Sequence, residues 1–263
     1  MGEIKVKEFS YYNQKGELVV KGSYSIDREE GSYMNQLHEQ YTDGYVFGGN
    51  NKKDWTEVTN EEGFFESIKE GKTTISLNSS INLTKSIEIS KGDVEINLGD
   101  SNKVLSCPKS DVFVVTSGTL TLSGNGTVSA SEDNSSSACA VWAKSKGKVV
   151  INGGTYKVGD DTSNGTEGNW RNDCIYARDN GQIIINNGEF MYTGNNPIGH
   201  RYLLNCRDAD YKAGKCNIIV KGGIFHNFNP GASNGENPIA NFLAPGYKSI
   251  TRDGGKTYEV IKA

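Results

Sequence analysis

"VVINGGTY", residues 149–156, is the stretch on which the reading of the fold turns. The phrase returns as "IIINNGEF" at 183–190 and as "IIVKGGIF" at 218–225, with a looser copy, "TLTLSGNGTV", at 119–128. Each copy holds a β-rich apolar triplet, a glycine-containing corner and a further apolar position. None shows the 3.6-residue period of an amphipathic helix. The corner glycines Gly126, Gly154, Gly188 and Gly223 lie 28, 34 and 35 residues apart, a period typical of stacked repeats.

An apolar segment precedes each copy: "VFVV" from Val112, "AVWA" from Ala140, "CIYA" from Cys174 and "YLLNC" from Tyr202. Val141 to Gly154 and Ile175 to Gly188 both span 13 residues. Val112 to Gly126 spans 14, which predicts a one-residue bulge. Leu203 to Gly223 spans 20, which predicts an insertion near "DADYKAG". Each unit therefore reads as strand, tight turn at Gly118, Gly147 or Gly181, second strand, glycine corner, third strand and variable loop. A unit this small cannot bury an apolar face alone, so it must stack on its neighbours.

The expected fold is all-β: a parallel β-helix of about five to six coils, with strands about 4.8 Å apart along its axis. A β-propeller or sandwich is the structural alternative, and the missing hairpin signals between units count against it. Ile151, Ile185 and Val220 form one inward column, and Tyr156, Phe190 and Phe225 another. Thr155, Glu189 and Ile224 face outward. Asn152, Asn186 and Asn187 are placed to hydrogen-bond along the axis. The alternation from Ile75 to Leu98 supplies the first coils. Before it, "TNEEGFFESIKEG" reads as a short helix capped by Thr59 or Asn60, with Phe64, Phe65 and Ile68 as its apolar stripe. Such a helix would cover the open end of the shaft, while "KTYEVIKA" reads as a closing strand. Residues 1–55 lack the repeat and form a separate N-terminal region, with a hairpin turning at Gln14 to Gly16. The repeat domain is 56–263.

Composition narrows the function classes. Net charge is −4 with a sequence pI near 5.5, which gives no electrostatic footprint for nucleic acid. Hydrophobic residues make up 35% of the chain and mean hydropathy is −0.56, so the core must be thin. No apolar run is long enough for a membrane span, and "MGEIKVKEF" lacks the apolar segment of a secretory signal. Cys107, Cys139, Cys174, Cys206 and Cys216 form no C-x-x-C pair, and only His38, His200 and His226 could join them. This predicts free, buried thiols from a reducing compartment, with no metal and no cofactor.

"IEISKGDVEINLGDSNKVL", the "GGTY" and "GGIF" corners and the ending "GGIFHNFNPG…NFLAPGYKSI…TYEV" resemble β-helix domains of gut-bacterial phages and related bacterial proteins, over roughly residues 60 to 263. The resemblance implies a single-chain right-handed β-helix and a virion structural protein, made in the host cytoplasm: a head or tail fibre, spike or capsid-decoration subunit. Such proteins typically attach to the particle through an N-terminal region. That role would fall here to Tyr11, Tyr12, Tyr33, Tyr41, Tyr45 and Phe47, contacting capsid or tail proteins. Rods of this kind often associate as homotrimers, which would cover outward apolar residues.

Parallel β-helices also host polysaccharide lyases and hydrolases, which need clustered carboxylates. Counted from Val141, Ile175 and Leu203, the expected columns are Ser145–Asp179–Arg207, Lys144–Arg178–Cys206 and Lys146–Asn180–Asp208. Asp179 then meets an arginine rather than a second carboxylate, so no catalytic residue is assigned. "GHR" at 199–201 departs from the G-H-G of polygalacturonase-like enzymes, and no R-I-K occurs. Host polysaccharide remains a candidate ligand. Trp170 lies in the longest polar loop, and with Asp161, Arg171, Asp173 and Tyr192 it could stack on and hydrogen-bond a sugar ring. Trp142 and Tyr176 read instead as a packed aromatic column along the shaft. A bacterial cell-surface or secreted glycan-binding protein is the alternative reading, and a polysaccharide-degrading enzyme the third.

Overall fold

The computed structural model describes residues 53–130, 138–159, 173–193, 202–233 and 240–263, together with the strand backbones 5–12, 18–26 and 46–47. The chain divides into two compact units, Met1–Trp55 and Thr56–Ala263. In the first, Lys5–Tyr12 pairs antiparallel with Leu18–Ile26, and Val46–Phe47 pairs antiparallel with Tyr11 and Tyr12. The expected turn at Gln14 to Gly16 lies outside the described residues.

The second unit is mostly β and is organised by three sheets. A five-stranded sheet joins Ile87–Ile89, Phe113–Val115, Val141–Ala143, Asp173–Ala177 and Tyr202–Cys206, all parallel. A seven-stranded sheet runs in parallel from Thr56–Val58 through Thr74–Leu77, Asp93–Asn97, Thr119–Ser123, Lys148–Ile151 and Gln182–Ile185 to Asn217–Val220. The eight-stranded sheet carries Ile81–Asn82, Val104–Cys107, Thr127–Ala130, Thr155–Val158, Glu189–Tyr192 and Gly223–His226 in parallel. From Ile87 to His226 the chain visits the three sheets in fixed rotation, so each sheet receives every third strand.

The pairing register makes side-chain columns, because residues of the same phase meet across each parallel step. Leu122, Ile151, Ile185 and Val220 form an inward column that is fully buried. Tyr156, Phe190 and Phe225 form a second. Their rings stack at 5.1 and 4.8 Å between centroids, with interplanar angles of 12° and 9°. The buried Tyr156 hydroxyl donates to the Gly153 carbonyl at 2.9 Å, which avoids the cost of an unsatisfied polar group. Outward of this stack lie Thr155, Glu189 and Ile224, the last 39% exposed. One continuous buried cluster draws on all three sheets.

Glycine is required at the corners by space and by backbone conformation. Gly154, Gly188 and Gly223 have φ of +93°, +136° and +110°, in the region that side chains disfavour. At Gly118, with φ +73°, a Cβ would lie 1.8 Å from the Gly92 carbonyl oxygen of the preceding round. Beside the corners, Asn186 Nδ2 donates to Asn152 Oδ1 at 2.8 Å, forming the expected amide contact along the stack.

Two expected alignments are corrected. Phe113, not Val112, is the register partner of Val141, so Phe113 to Gly126 spans 13 residues and no bulge intervenes. Leu204, not Leu203, is the partner of Ile175. Both errors arise within continuous buried runs, where period-two alternation is lost. The insertion is real: 11 positions separate Cys206 from Asn217, against 5 between their register partners Ala177 and Gln182. The extra length forms the one-turn helix Asp208–Lys212.

Both ends of the second unit depart from the rotation. Helix Glu61–Lys69 follows the first strand, and Asn60 is its cap: its Oδ1 accepts the Gly63 N–H at 2.8 Å. Phe64 is fully buried, and Glu61 Oε1 accepts from both the N–H and the hydroxyl of Thr84, at 2.6 and 2.8 Å. Asn60→Ala is expected to cost about 1 kcal/mol, read as a lower denaturation midpoint; Asn60→Asp should retain most of that stability. At the other end, Thr257–Lys262 pairs antiparallel with Gly223–His226, and Tyr247–Ile250 pairs antiparallel with Thr257–Lys262. The segment around Phe242 lies on the last parallel strand: Val220 donates to the Phe242 carbonyl, and Ala244 donates to the Val220 carbonyl.

Candidate functional site

Correcting the register by one residue rearranges the outer columns. Ala143, Ala177 and Cys206 are partners, so the next residue along each strand, Lys144, Arg178 and Arg207, forms one column. Their amides continue the ladder, donating to Val115, Ala143 and Ala177 carbonyls at 2.9, 3.0 and 3.0 Å. Three cations thus stack at successive steps, a spacing of about 4.8 Å. The expected columns, in which Arg207 shared a file with Asp179 and Ser145 and Arg178 shared one with Cys206, are replaced by this arrangement.

The ion pair between Asp179 and Arg207 nevertheless forms, across columns rather than along one. Arg207 Nη1 lies 3.1 Å from Asp179 Oδ1 and 3.7 Å from Asp210 Oδ2. Arg178 Nε lies 3.0 Å from the other Asp179 oxygen. Asp179 and Asn180 have φ of +50° and +72°, which turns the chain sharply after Arg178. The Asp179 amide donates to Asp210 Oδ2 at 2.9 Å, so the inserted helix Asp208–Lys212 supplies the second carboxylate. Neither carboxylate reaches Lys144, which has no ion-pair partner among the described residues.

Instead, Lys144 Nζ sits 4.0 Å from the centroid of the Trp142 ring, and Arg178 Cζ sits 4.7 Å from it. Trp142 and Tyr176 are register partners on the outward face, with centroids 6.0 Å apart. The expected aromatic column is present, and cations cover it. Interaction between a cation and an aromatic face offsets part of the repulsion that stacked like charges create.

Among the proposed glycan contacts, Trp170, Asp161 and Arg171 lie outside the described residues. Asp173 is buried, and its carboxylate accepts from Asn205 Nδ2 at 3.1 Å, so it faces protein rather than solvent. Tyr192 is half-buried against the core cluster. In the N-terminal unit, Tyr11, Tyr12 and Phe47 lie on paired strands, while Tyr33, Tyr41 and Tyr45 lie outside the described residues. A cavity of about 270 Å³ near the end of helix Glu61–Lys69 is lined by residues including Ile68, Lys72, Glu88, Lys91 and Asp93, with no aromatic side chain.

None of the five cysteines is in a disulfide, and all are buried. Burial pushes the Cys107 thiol up to about 11, and it raises Cys139 and Cys174 well above the ordinary thiol range. A thiol needs its thiolate form to react, so these three should be inert in the folded protein. A thiol-reactive dye at pH 8 is expected to leave them unmodified in the native state and to label them after denaturation. Rapid native labelling at Cys139 or Cys174 would contradict their placement.

No protein-family model, curated protein or solved structure matches this chain.

Proposed function

We propose that residues 56–263 form a right-handed parallel β-helix of five complete coils, one for each strand of the five-stranded sheet, and that the chain is a virion structural protein. The fold half of this reading is supported by the parallel register of the three sheets around one buried cluster. The virion half is supported by the resemblance of the repeat and of the C-terminal phrases to phage β-helix domains. Such a stack is stiff because every coil is bonded to two neighbours along its length. Right-handedness follows the strong preference of parallel crossover connections. Residues 1–55, which lack the repeat, are assigned to attachment to a capsid or tail protein, and the shaft to display at the particle surface as a fibre, spike or decoration subunit. Homotrimer formation belongs to the same proposal.

The role is structural rather than catalytic. Asp179 is held between two arginines, and Asp210, the second carboxylate, is tied to Arg207 and to the Asp179 amide rather than poised for proton transfer. A second reading, a bacterial cell-surface or secreted glycan-binding protein, is favoured by the outward Trp142–Tyr176 column with its cations. Mass spectrometry of density-banded phage particles and of envelope fractions from the producing culture separates the two. The virion reading predicts the chain in banded particles at a fixed ratio to capsid protein. Recovery from envelope fractions alone would overturn it.

A further inference from the structure

We propose that the Lys144–Arg178–Arg207 column, with Trp142 and Tyr176 beside it, is a binding site for an acidic polysaccharide running along the stack. This rests on the surface-display reading above and names the ligand class its shaft would meet.

Stacking three like charges at successive strand steps is unfavourable, and a chain of net charge −4 has no general surplus of cations to place there. Asp179 and Asp210 offset Arg178 and Arg207 only in part: two carboxylates stand against three cations. Lys144 is left with an aromatic face as its nearest compensation. Local conflicts of this kind concentrate at functional sites. A polyanion supplies the missing charge, and one whose acidic groups recur along an extended chain suits cations repeated along an axis. Arg207 is 51% exposed and Arg178 30% exposed, so both heads reach solvent.

The aromatic pair selects the class of polyanion. A pyranose presents C–H faces that stack on Trp or Tyr, while its carboxylate or sulfate pairs with guanidinium groups. When an acidic sugar binds, Lys144 and Arg178, which both lie over the Trp142 ring, can turn from it to meet the anion. Single-stranded nucleic acid offers the same repeating charge with flat bases, and the chain's net charge of −4 weighs equally on both polyanions, so DNA stands as the competing outcome of the test.

The test is affinity electrophoresis of the full chain through gels containing polygalacturonate, dextran or single-stranded DNA, beside the Lys144→Gln/Arg207→Gln double variant. Retardation by polygalacturonate, absent with dextran and lost as salt rises, is expected. The double variant should weaken it about tenfold or more. Lys144→Gln alone should leave the denaturation midpoint unchanged or raised, because it removes one of three repelling charges; a structural role predicts a drop. Equal retardation of wild type and double variant, no retardation by polygalacturonate, or stronger retardation by DNA would each overturn the site. Those outcomes leave the particle-fraction experiment untouched, so failure of this site is distinguishable from failure of the virion reading.

Discussion

Phe190→Ala is expected to destabilise the repeat unit by about 3–5 kcal/mol, among the largest effects of any single truncation in the chain. Phe190 is fully buried and is the middle ring of a three-ring stack, in contact with Tyr156 on one side and Phe225 on the other. Removing it deletes apolar burial and both ring contacts, and leaves a cavity that backbone ladders on two sides prevent from collapsing. Phe225→Ala should cost less, because its outer neighbour Phe228 is tilted at 6.4 Å rather than stacked. Urea denaturation followed by tyrosine and tryptophan fluorescence measures both. A loss below about 1 kcal/mol for Phe190→Ala would show that the ring lies outside a packed interior.

Gly118→Ala is the second large effect and acts through the backbone. With φ at +73°, an L-residue pays about 1–2 kcal/mol for the conformation alone. The new methyl would also meet the Gly92 carbonyl oxygen at 1.8 Å, a contact that forces the two rounds apart. Overpacking of this kind adds about 1–3 kcal/mol, giving a total near 3 kcal/mol. The same change at Gly92, where φ is +69° but no atom lies within 4 Å of the added Cβ, isolates the conformational part. Equal losses at Gly92 and Gly118 would mean that the rounds do not approach closely at this corner.

Much of the fold was readable because its determinants recur. The corner glycines align in the structure as they do in the sequence, each beside the carbonyl of its predecessor. The inward Ile151–Ile185–Val220 column, the aromatic stack and the Asn152–Asn186 contact follow from the same phase. The phase failed at "YLLNC" and "VFVV". Leu203 and Leu204 are both buried, as are Val112 to Val115, so an apolar run gives no sign of which residue points inward. A one-residue slip moves a side chain to the neighbouring column, and that slip hid the Lys144–Arg178–Arg207 ladder. The helix Asp208–Lys212 was equally hard to read: a single charged turn carries no periodicity. Its Asp210 adds a second carboxylate beside Arg207 at the end of the ladder.

The candidate site was legible only in fragments. Trp142 and Tyr176 pair as the column that their spacing predicts, but Asp173, a candidate glycan contact from its place beside a polar loop, is buried. Its carboxylate is instead met by Asn205, which comes from the next strand of the sheet and is distant in sequence. Burial of a polar side chain beside a neighbouring strand is a tertiary fact that local composition does not carry.

The stacked-coil account is tested most directly by spin-label distances along one exposed column. Asp93, Lys148, Gln182 and Asn217 share a file on the seven-stranded sheet, through Thr119. Pulsed electron resonance on the pairs Lys148/Gln182, Lys148/Asn217 and Asp93/Asn217 samples one, two and four strand steps. The account predicts separations that rise by about 4.8 Å per step, to roughly 19 Å for the last pair. Separations that fail to increase in that order would contradict it.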